Sequence, residues 1–431
     1  MKTLAGDGSS VDTGTPAERN AAPLRRASGA SEEDAGAASG GGAALDIPQI
    51  MPPPQVKAHI SRRERWRRRQ ESARLLVPLA SETPEGAINP VRVAKCSWTI
   101  GQTVGIMHDG GERPAGYAGI ERCSSIWACP SCSAVIRAGR AAEIEEAVTK
   151  HQKTGGELLF FTGTLRHHNG DKLSLTLDAV LEAWRKLTAG RPWKNRKIEH
   201  AISGYIRSIE VTHGENGWHP HAHVLLFLDE PMGDGALEDF RAWLFEKWAG
   251  YVAAAGGNVP TEKGLDLQRV DKKGKVLAKY LSKIQDEKKP EKRWGVGAEM
   301  SRSDVKRGRV STAITPFQLL DELDGMHERE RGRLWREFYQ ATKGRRAITW
   351  ARGLKARYEI GEKTDDDLLE EAENTVVVWT TTAKNYRRVH RVQAERLAYA
   401  LELAEAEDWA RLAEILPCDE SWVGDVRQKS V

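Results

Sequence analysis

Apolar positions follow two rhythms through the middle of this chain. Short, nearly unbroken apolar runs occur at GELLFFTGTLRHH (156–168), ISGYIRSIEVT (202–212), HAHVLLFL (221–228) and LDLQRV (265–270). Each has strand length and branched or aromatic side chains, so each is predicted to be a strand. Between and after them, apolar residues recur every three to four positions. These stretches are SAVIRAGRAAEIEEAVTKHQ (133–152), LSLTLDAVLEAWRKLTAG (173–190), GALEDFRAWLFEKWAGYVAAAG (235–256) and KVLAKYLSKIQ (275–285). They are predicted helices, the second stopped by Gly190. The turn signal HGENGW (213–218) joins the two central strands so closely that they should be antiparallel. The order strand, helix, strand, hairpin, strand, helix, strand, helix predicts an α+β fold, an antiparallel sheet with flanking helices.

Residues 1–55 are rich in Gly, Ala, Ser and Pro and hold too little apolar surface to offset ordering entropy, so a disordered tail is expected there. A basic linker or helix is expected over 56–89. Within it SRRERWRRRQESARLL (61–76) predicts a helix with Ser61 as its N-cap. Its arginine-dense first half suits either a solvated helix or an arm that binds DNA. From Thr315 onward the chain reads as mostly helical and charged. GRRAITWARGLKARY (344–358) and KNYRRVHRVQAERLAYALELAEAEDWARLAEIL (384–416) are the main pieces, and NTVVVWTTT (374–382) is a strand between them.

Composition adds modest constraints. Of 431 residues, 40% are hydrophobic, enough for a core of ordinary size. The 65 basic and 61 acidic residues nearly cancel, leaving a formal charge of +4. Distribution matters more: arginine-dense segments at 62–69, 302–309, 345–357 and 387–396 suit phosphate backbones, although any single one also suits a solvated helix face. No N-terminal apolar stretch resembles a signal peptide, and no run of about 18 apolar residues could span a bilayer. The expected location is the cytoplasm, with no membrane partner.

Four of the five cysteines fall between positions 96 and 132. Cys96, Cys123, Cys129 and Cys132 end in a Cys-x-x-Cys pair, a spacing suited to one tetrahedral Zn²⁺. Four thiolates would close the site, so the expected role is structural. The alternative is four buried thiols without a ligand. Residues 90–150 thus form a cysteine-rich zinc-binding segment and a helix, placed to present Arg122, Arg137 and Arg140 to DNA. Cys418 stands alone.

The sharpest feature is GWHPHAHVLLFL (217–228), with His219, His221 and His223 at alternate positions. Alternate residues of a strand share a face, so His221 and His223 should point together. His219 joins them only if the strand extends past Pro220, which is expected to mark its start. Glu210, at the end of the preceding strand, is the third candidate ligand. Two imidazoles and a carboxylate suit Mn²⁺ or Zn²⁺, and Mg²⁺ when phosphate oxygens and water complete the shell. The plainer alternative is a set of half-exposed histidines near a turn.

GWHPHAHVLLF resembles the two-histidine motif of the HUH endonucleases, with Ala222 on the small side between the histidines. The GWHPH lead-in is similar to plasmid rolling-circle replication initiators, the Rep proteins. FFTGTLRHH resembles the first motif of that superfamily. AKYLSK (278–283) resembles the third, a helix carrying a nucleophilic tyrosine and a lysine. ACPSC leading into a helix also resembles some plasmid Rep proteins. The resemblance covers about 90–350.

The resemblance implies an HUH nuclease domain with a ferredoxin- or RRM-like core over 151–315 and a basic helical region over 316–431. It makes Tyr280 the nucleophile and Lys283 its helper. By pattern alone Tyr280 lies in an apolar stripe with Val276, Leu277, Leu281 and Ile284 and reads as a core tyrosine. The implied activity is nicking and rejoining of one DNA strand through a 5′-phosphotyrosine, leaving a free 3′-hydroxyl primer. Its cofactor would be Mg²⁺ or Mn²⁺. His219, His167 and Arg166 are auxiliary candidates. Expected partners are the double-strand origin, the single-stranded nick site, a host helicase by analogy, and a second copy of the chain. Val276 stands where some relatives carry a glutamate, and no second tyrosine lies one turn away. The terminating cleavage would then fall to Asp286, Glu287 or a second protomer. A relaxase or single-tyrosine transposase would share this chemistry. A metallohydrolase using His219, His221 and His223, or a non-catalytic zinc-bearing DNA-binding regulator, would not need Tyr280.

Overall fold

The computed structural model describes residues 61–83, 87–111, 113–270 and 313–418. The tail expected over 1–55, the helix expected over 275–285 and the arginine-rich stretch 302–309 lie outside the described residues.

The chain enters through α1 (Arg62–Leu76), a small hairpin β1 (Ser81–Glu82) and β2 (Ile88–Asn89), and the strands β3 (Thr103–Met107) and β4 (Gly116–Ala118). A long helix α2 (Pro130–Lys153) leads into β5 (Glu157–Thr164), α3 (Leu173–Ala189), α4 (Arg191–Glu199), β6 (Ile202–Gly214) and β7 (Gly217–Leu228). Then come α5 (Asp234–Ala254), β8 (Leu265–Arg269) and β9 (Ala313–Ile314). The C-terminal part holds α6 (Glu328–Thr342), β10 (Ile348–Trp350), α7 (Leu354–Arg357), α8 (Asp365–Glu371), β11 (Val377–Thr382), α9 (Ala383–Val392), α10 (Ala394–Glu405) and α11 (Trp409–Ile415).

The main sheet has the order β10-β6-β7-β5-β8, with β9 on the end of β6, and every pairing is antiparallel. The unit β5-α3-β6-β7-α5-β8 therefore has a ferredoxin-like arrangement, two strand–helix–strand halves interleaved in one sheet. Alternation along β7 divides its residues cleanly. Ala222, Val224, Leu226 and Leu228 are buried in the same core as Phe161, Trp184 of α3 and Trp248 of α5. On the opposite face Leu225 and Phe227 pack with Ile144, Ala147 and Val148 of α2 and with Leu354 and Tyr358. Each such side chain contributes about 1.5–3 kcal/mol on burial, which fixes the register of β7 on both faces. Beyond Leu225 that second face turns polar, and there the histidines stand.

Three features depart from the sequence reading. The hairpin is tighter than expected: Gly214 pairs with Gly217, and Gly217 takes φ 80°, a conformation open to glycine without a Cβ penalty. β7 consequently begins four residues before His221 and includes His219 and Pro220. The proline is tolerated because β5 pairs with β7 only from His221 onward, so the missing N–H falls past the end of that ladder.

Second, 344–358 is not simply helical. Ile348–Trp350 forms the edge strand β10 against Ser208, Arg207 and Ile206 of β6. β11 joins β3 and β4 in a separate three-stranded sheet. Third, α1 is a packed helix rather than a solvated arm. Ser61 does cap it, accepting from Glu64 N at 3.1 Å. Trp66 shares a core with Leu397 and Leu401 of α10. Arg62 and Arg63 pair with Glu405 and Glu402, Arg67 and Arg68 with Asp321.

Candidate functional site

The hairpin register sets Glu210 directly opposite His221, and Ser208 opposite His223. On the other flank of β7, Thr164 lies opposite His221 and Thr162 opposite His223. These side chains share one face of the sheet. Glu210 Oε2 lies 3.2 Å from His221 Nε2 and 2.9 Å from His223 Nε2, so one carboxylate oxygen bridges both imidazoles. One ligand atom from each of the three residues falls within 4.8 Å of the others. Glu210 and His223 are buried, and His221 is half-buried.

The outer nitrogens are tied down. The Nδ1 of His221 lies 3.3 Å from the carbonyl of His219, which can only accept, so Nδ1 would donate there whenever Nε2 holds a cation. The Nδ1 of His223 lies 3.1 Å from Thr162 Oγ1, and Phe160 stacks on its ring at 5.4 Å. Orienting bonds of this kind present the inner nitrogens to a cation. The donor set and its supports fit a divalent metal ion. Thr162 and Phe160 were not singled out from the sequence. The signal was there, since Thr162 sits two residues from Thr164 on the strand that pairs with the histidines.

His219 takes a different direction. Its Nε2 meets Thr164 Oγ1 at 2.8 Å, and it does not join the group of converging ligand atoms. Burial, together with the neighbouring His221 and His167, brings its pKa down to about 3, so it is neutral at ordinary pH. His167 stacks on His219 at 4.6 Å and holds the Asn216 carbonyl at 2.8 Å. Arg166 is exposed beside them. A three-histidine site is therefore not what the strand builds. Tyr280 and Lys283 lie outside the described residues, as do Val276, Asp286 and Glu287.

The four cysteines come from three separate segments and meet in the core. Cys96 ends a 3₁₀ turn, Cys123 lies in a loop, and Cys129 caps α2, where Pro130 opens the helix. The Sγ–Sγ separations are 3.7 Å for Cys96–Cys132, 3.8 Å for Cys123–Cys132 and 3.6 Å for Cys96–Cys129. A tetrahedron with Zn–S arms of about 2.3 Å has edges of about 3.8 Å. The cluster thus has the dimensions of a zinc tetrathiolate and is far too open for disulfides. Hydrogen bonds from the other thiols, Cys123 first, hold Cys96 well below the ordinary thiol range. The same neighbours push Cys129 above it.

The arginines expected to face DNA from this knuckle do not. Arg137 is buried and bonded to Ser133 and to the Ile126 carbonyl, Arg140 pairs with Glu143 and Asp365, and Arg122 pairs with Glu373. Their positions were right in sequence, but carboxylates distant in the chain claim two of them.

A family model described as a replication protein matches residues 121–233, the stretch that carries Cys123, Cys129, Cys132, Glu210, His221 and His223. A Rep protein of Streptomyces lividans is 30% identical over 312 residues, which is 58% of this chain and 67% of that protein. The chain belongs to the Rep family of replication proteins. The resemblance to plasmid Rep initiators seen in the motifs is thereby borne out. A Rep protein of Streptococcus pneumoniae is 29% identical over 107 residues, 24% of this chain and 31% of that one. A protein of Streptomyces cyanogenus described as a neomycin resistance protein is 34% identical over 135 residues, again 31% of its length. The chain spans about two thirds of the first relative and about a third of the other two. No solved structure matches it. No helix among the described residues is long and apolar enough to cross a membrane.

Proposed function

We propose that this Rep chain initiates rolling-circle plasmid replication by nicking one strand of the origin in a metal-dependent reaction. The observation that carries the reading is the convergence of Glu210 Oε2 with the Nε2 atoms of His221 and His223 on one sheet face. A bound Mg²⁺ or Mn²⁺ would neutralise the scissile phosphate and polarise its oxygens. Glu210, His221 and His223 would hold that ion, while Thr162 and the His219 carbonyl keep the rings in line. Rings anchored on a buried strand need no reorganisation when the substrate arrives.

In this reading Tyr280 is the nucleophile. Its phenol oxygen bonds to phosphorus, the bond from phosphorus to the 3′ oxygen breaks, and that oxygen leaves as a 3′-hydroxyl after taking a proton. A phenol with a pKa near 10 needs help to ionise at neutral pH. Lys283, three residues on in the sequence, would supply positive charge for the phenolate. The 5′-phosphotyrosine preserves the bond for rejoining. His219 and His167, stacked on one another, together with exposed Arg166, would line the approach of the phosphate backbone. The four cysteines would bind one structural Zn²⁺ that ties α2 to the segments before it.

Incubation of the full chain with a supercoiled plasmid carrying its origin tests this. Open-circular product should form with Mn²⁺ or Mg²⁺, vanish with a chelator, and vanish in His223→Ala. Nicking that ignores both changes would sink the metal reading.

A further inference from the structure

The sheet face opposite the Glu–His cluster carries a second feature. Arg207 lies on β6, three residues before Glu210, and its side chain points to the α3 side. It is 9% exposed. Its Nη2 donates to Thr349 Oγ1 at 2.8 Å and reaches the Arg346 carbonyl at 3.5 Å, while its Nε is buried with no partner. No carboxylate among the described residues pairs with it. Burial lowers its basicity.

A guanidinium in that position is costly, because a buried charge needs a counter-charge to offset desolvation. Arg207 lines a pocket of about 730 Å³ between α3, the end of α5 and β10. Arg185, Lys186, Arg345 and Arg346 line it too, with Asp178 and Glu182 as its only acidic residues among those described. Both acids are engaged: Asp178 with Arg345, Glu182 with Arg185 and Lys186. Among the described residues, Arg207 and the exposed Arg346 remain without anionic partners. A planar guanidinium lining an open cationic pocket matches a phosphate oxygen better than any other common ligand group.

We propose that this pocket binds a backbone phosphate of DNA flanking the nick site, with the Arg207 guanidinium and Arg346 as the cations that hold it. The inference rests on the reading of the chain as a DNA-nicking initiator. It adds a contact on the sheet face turned away from the cut, reached around the β10 edge. Such a contact would help fix the register of duplex DNA and carry no sequence information.

Two variants test it in the full chain: Arg207→Met, which keeps the bulk, and Arg346→Ala, which is exposed and cannot disturb the core. Binding to a short mixed-sequence duplex is measured by fluorescence anisotropy across a salt series. Each variant should weaken binding by about five- to tenfold and lower the slope of log affinity against log salt by about one. Cleavage of a short single-stranded nick-site oligonucleotide should stay at the wild-type level. Unchanged affinity and slope in Arg346→Ala would overturn the proposal, whatever Arg207→Met does to folding. Thermal unfolding in inorganic phosphate against chloride at equal ionic strength adds a second check. Phosphate should raise the wild-type Tm more than that of Arg207→Met. Phosphate protection without any effect of either variant on duplex binding would also overturn the DNA assignment. Wild-type chain that binds duplex through this pocket yet cuts nothing would leave the pocket standing and remove the nicking reading.

Discussion

Glu210 and His223 meet at 2.9 Å although the sheet register pairs Glu210 with His221 instead. The carboxylate reaches diagonally across one residue pair, and a single oxygen serves both imidazoles. Removing it would leave two rings facing each other across an empty position. Glu210→Ala should therefore weaken Mn²⁺ binding by about 100-fold or more, a larger loss than orienting residues cause. Isothermal titration calorimetry on the full chain measures this. Wild-type affinity in the variant would show that the carboxylate is not a ligand.

Thr162 tests the same site from behind. Thr162→Val preserves the shape and deletes the hydroxyl that faces His223 Nδ1 at 3.1 Å. Metal affinity should fall by about 10- to 100-fold with little change in Tm. A drop in Tm without a change in metal affinity would make Thr162 a packing residue only.

The cysteine cluster predicts a stability effect distinct from activity. Purified chain should contain one zinc per molecule, and prolonged chelation should lower its Tm and expose four titratable thiols beyond Cys418. Cys132→Ser should copy the chelated protein. A metal-free chain that melts with the wild-type protein would return the cluster to four unliganded core thiols.

His390 predicts a pH dependence. Burial, aided by Arg69, lowers its pKa to about 4, against about 6.5 when unfolded. The unfolded chain therefore binds the proton first. The neutral ring's contribution is complete above pH 6.5 and is lost as pH falls from there toward 4, by about 1–3 kcal/mol at most. Denaturant unfolding at a series of pH values should show a shallower acid loss in His390→Phe. Equal slopes would remove His390 from the acid response.

The parts of this account that were legible in sequence share a physical basis. Alternation placed His221 and His223 on one face, and the close hairpin brought Glu210 beside them, because strand periodicity and turn length are local properties. The cysteines were legible for the same chemical reason, although one Cys-x-x-Cys gave no hint of how Cys96 and Cys123 would approach. Where the strand started was not legible. Pro220 reads as a boundary, yet it is accommodated where β5 stops pairing. The fate of the arginines was equally hidden: Arg68 and Arg140 are occupied by Asp321 and Asp365, partners more than two hundred residues away. β10 is a strand only because β6 offers it an edge. Thr162 and Arg207 acquire meaning from neighbours across the sheet. Tyr280 and Lys283 rest on the motif resemblance alone.

Covalent capture reads out the bond that Tyr280 would form. The full chain is incubated with Mn²⁺ and an end-labelled single strand spanning the nick site, denatured, and digested for mass spectrometry. A labelled protein–DNA adduct is expected on the peptide containing Tyr280, absent in Tyr280→Phe and in the paired substitution His221→Ala with His223→Ala. An adduct that persists in Tyr280→Phe, or strand cleavage with no adduct at all, would contradict it.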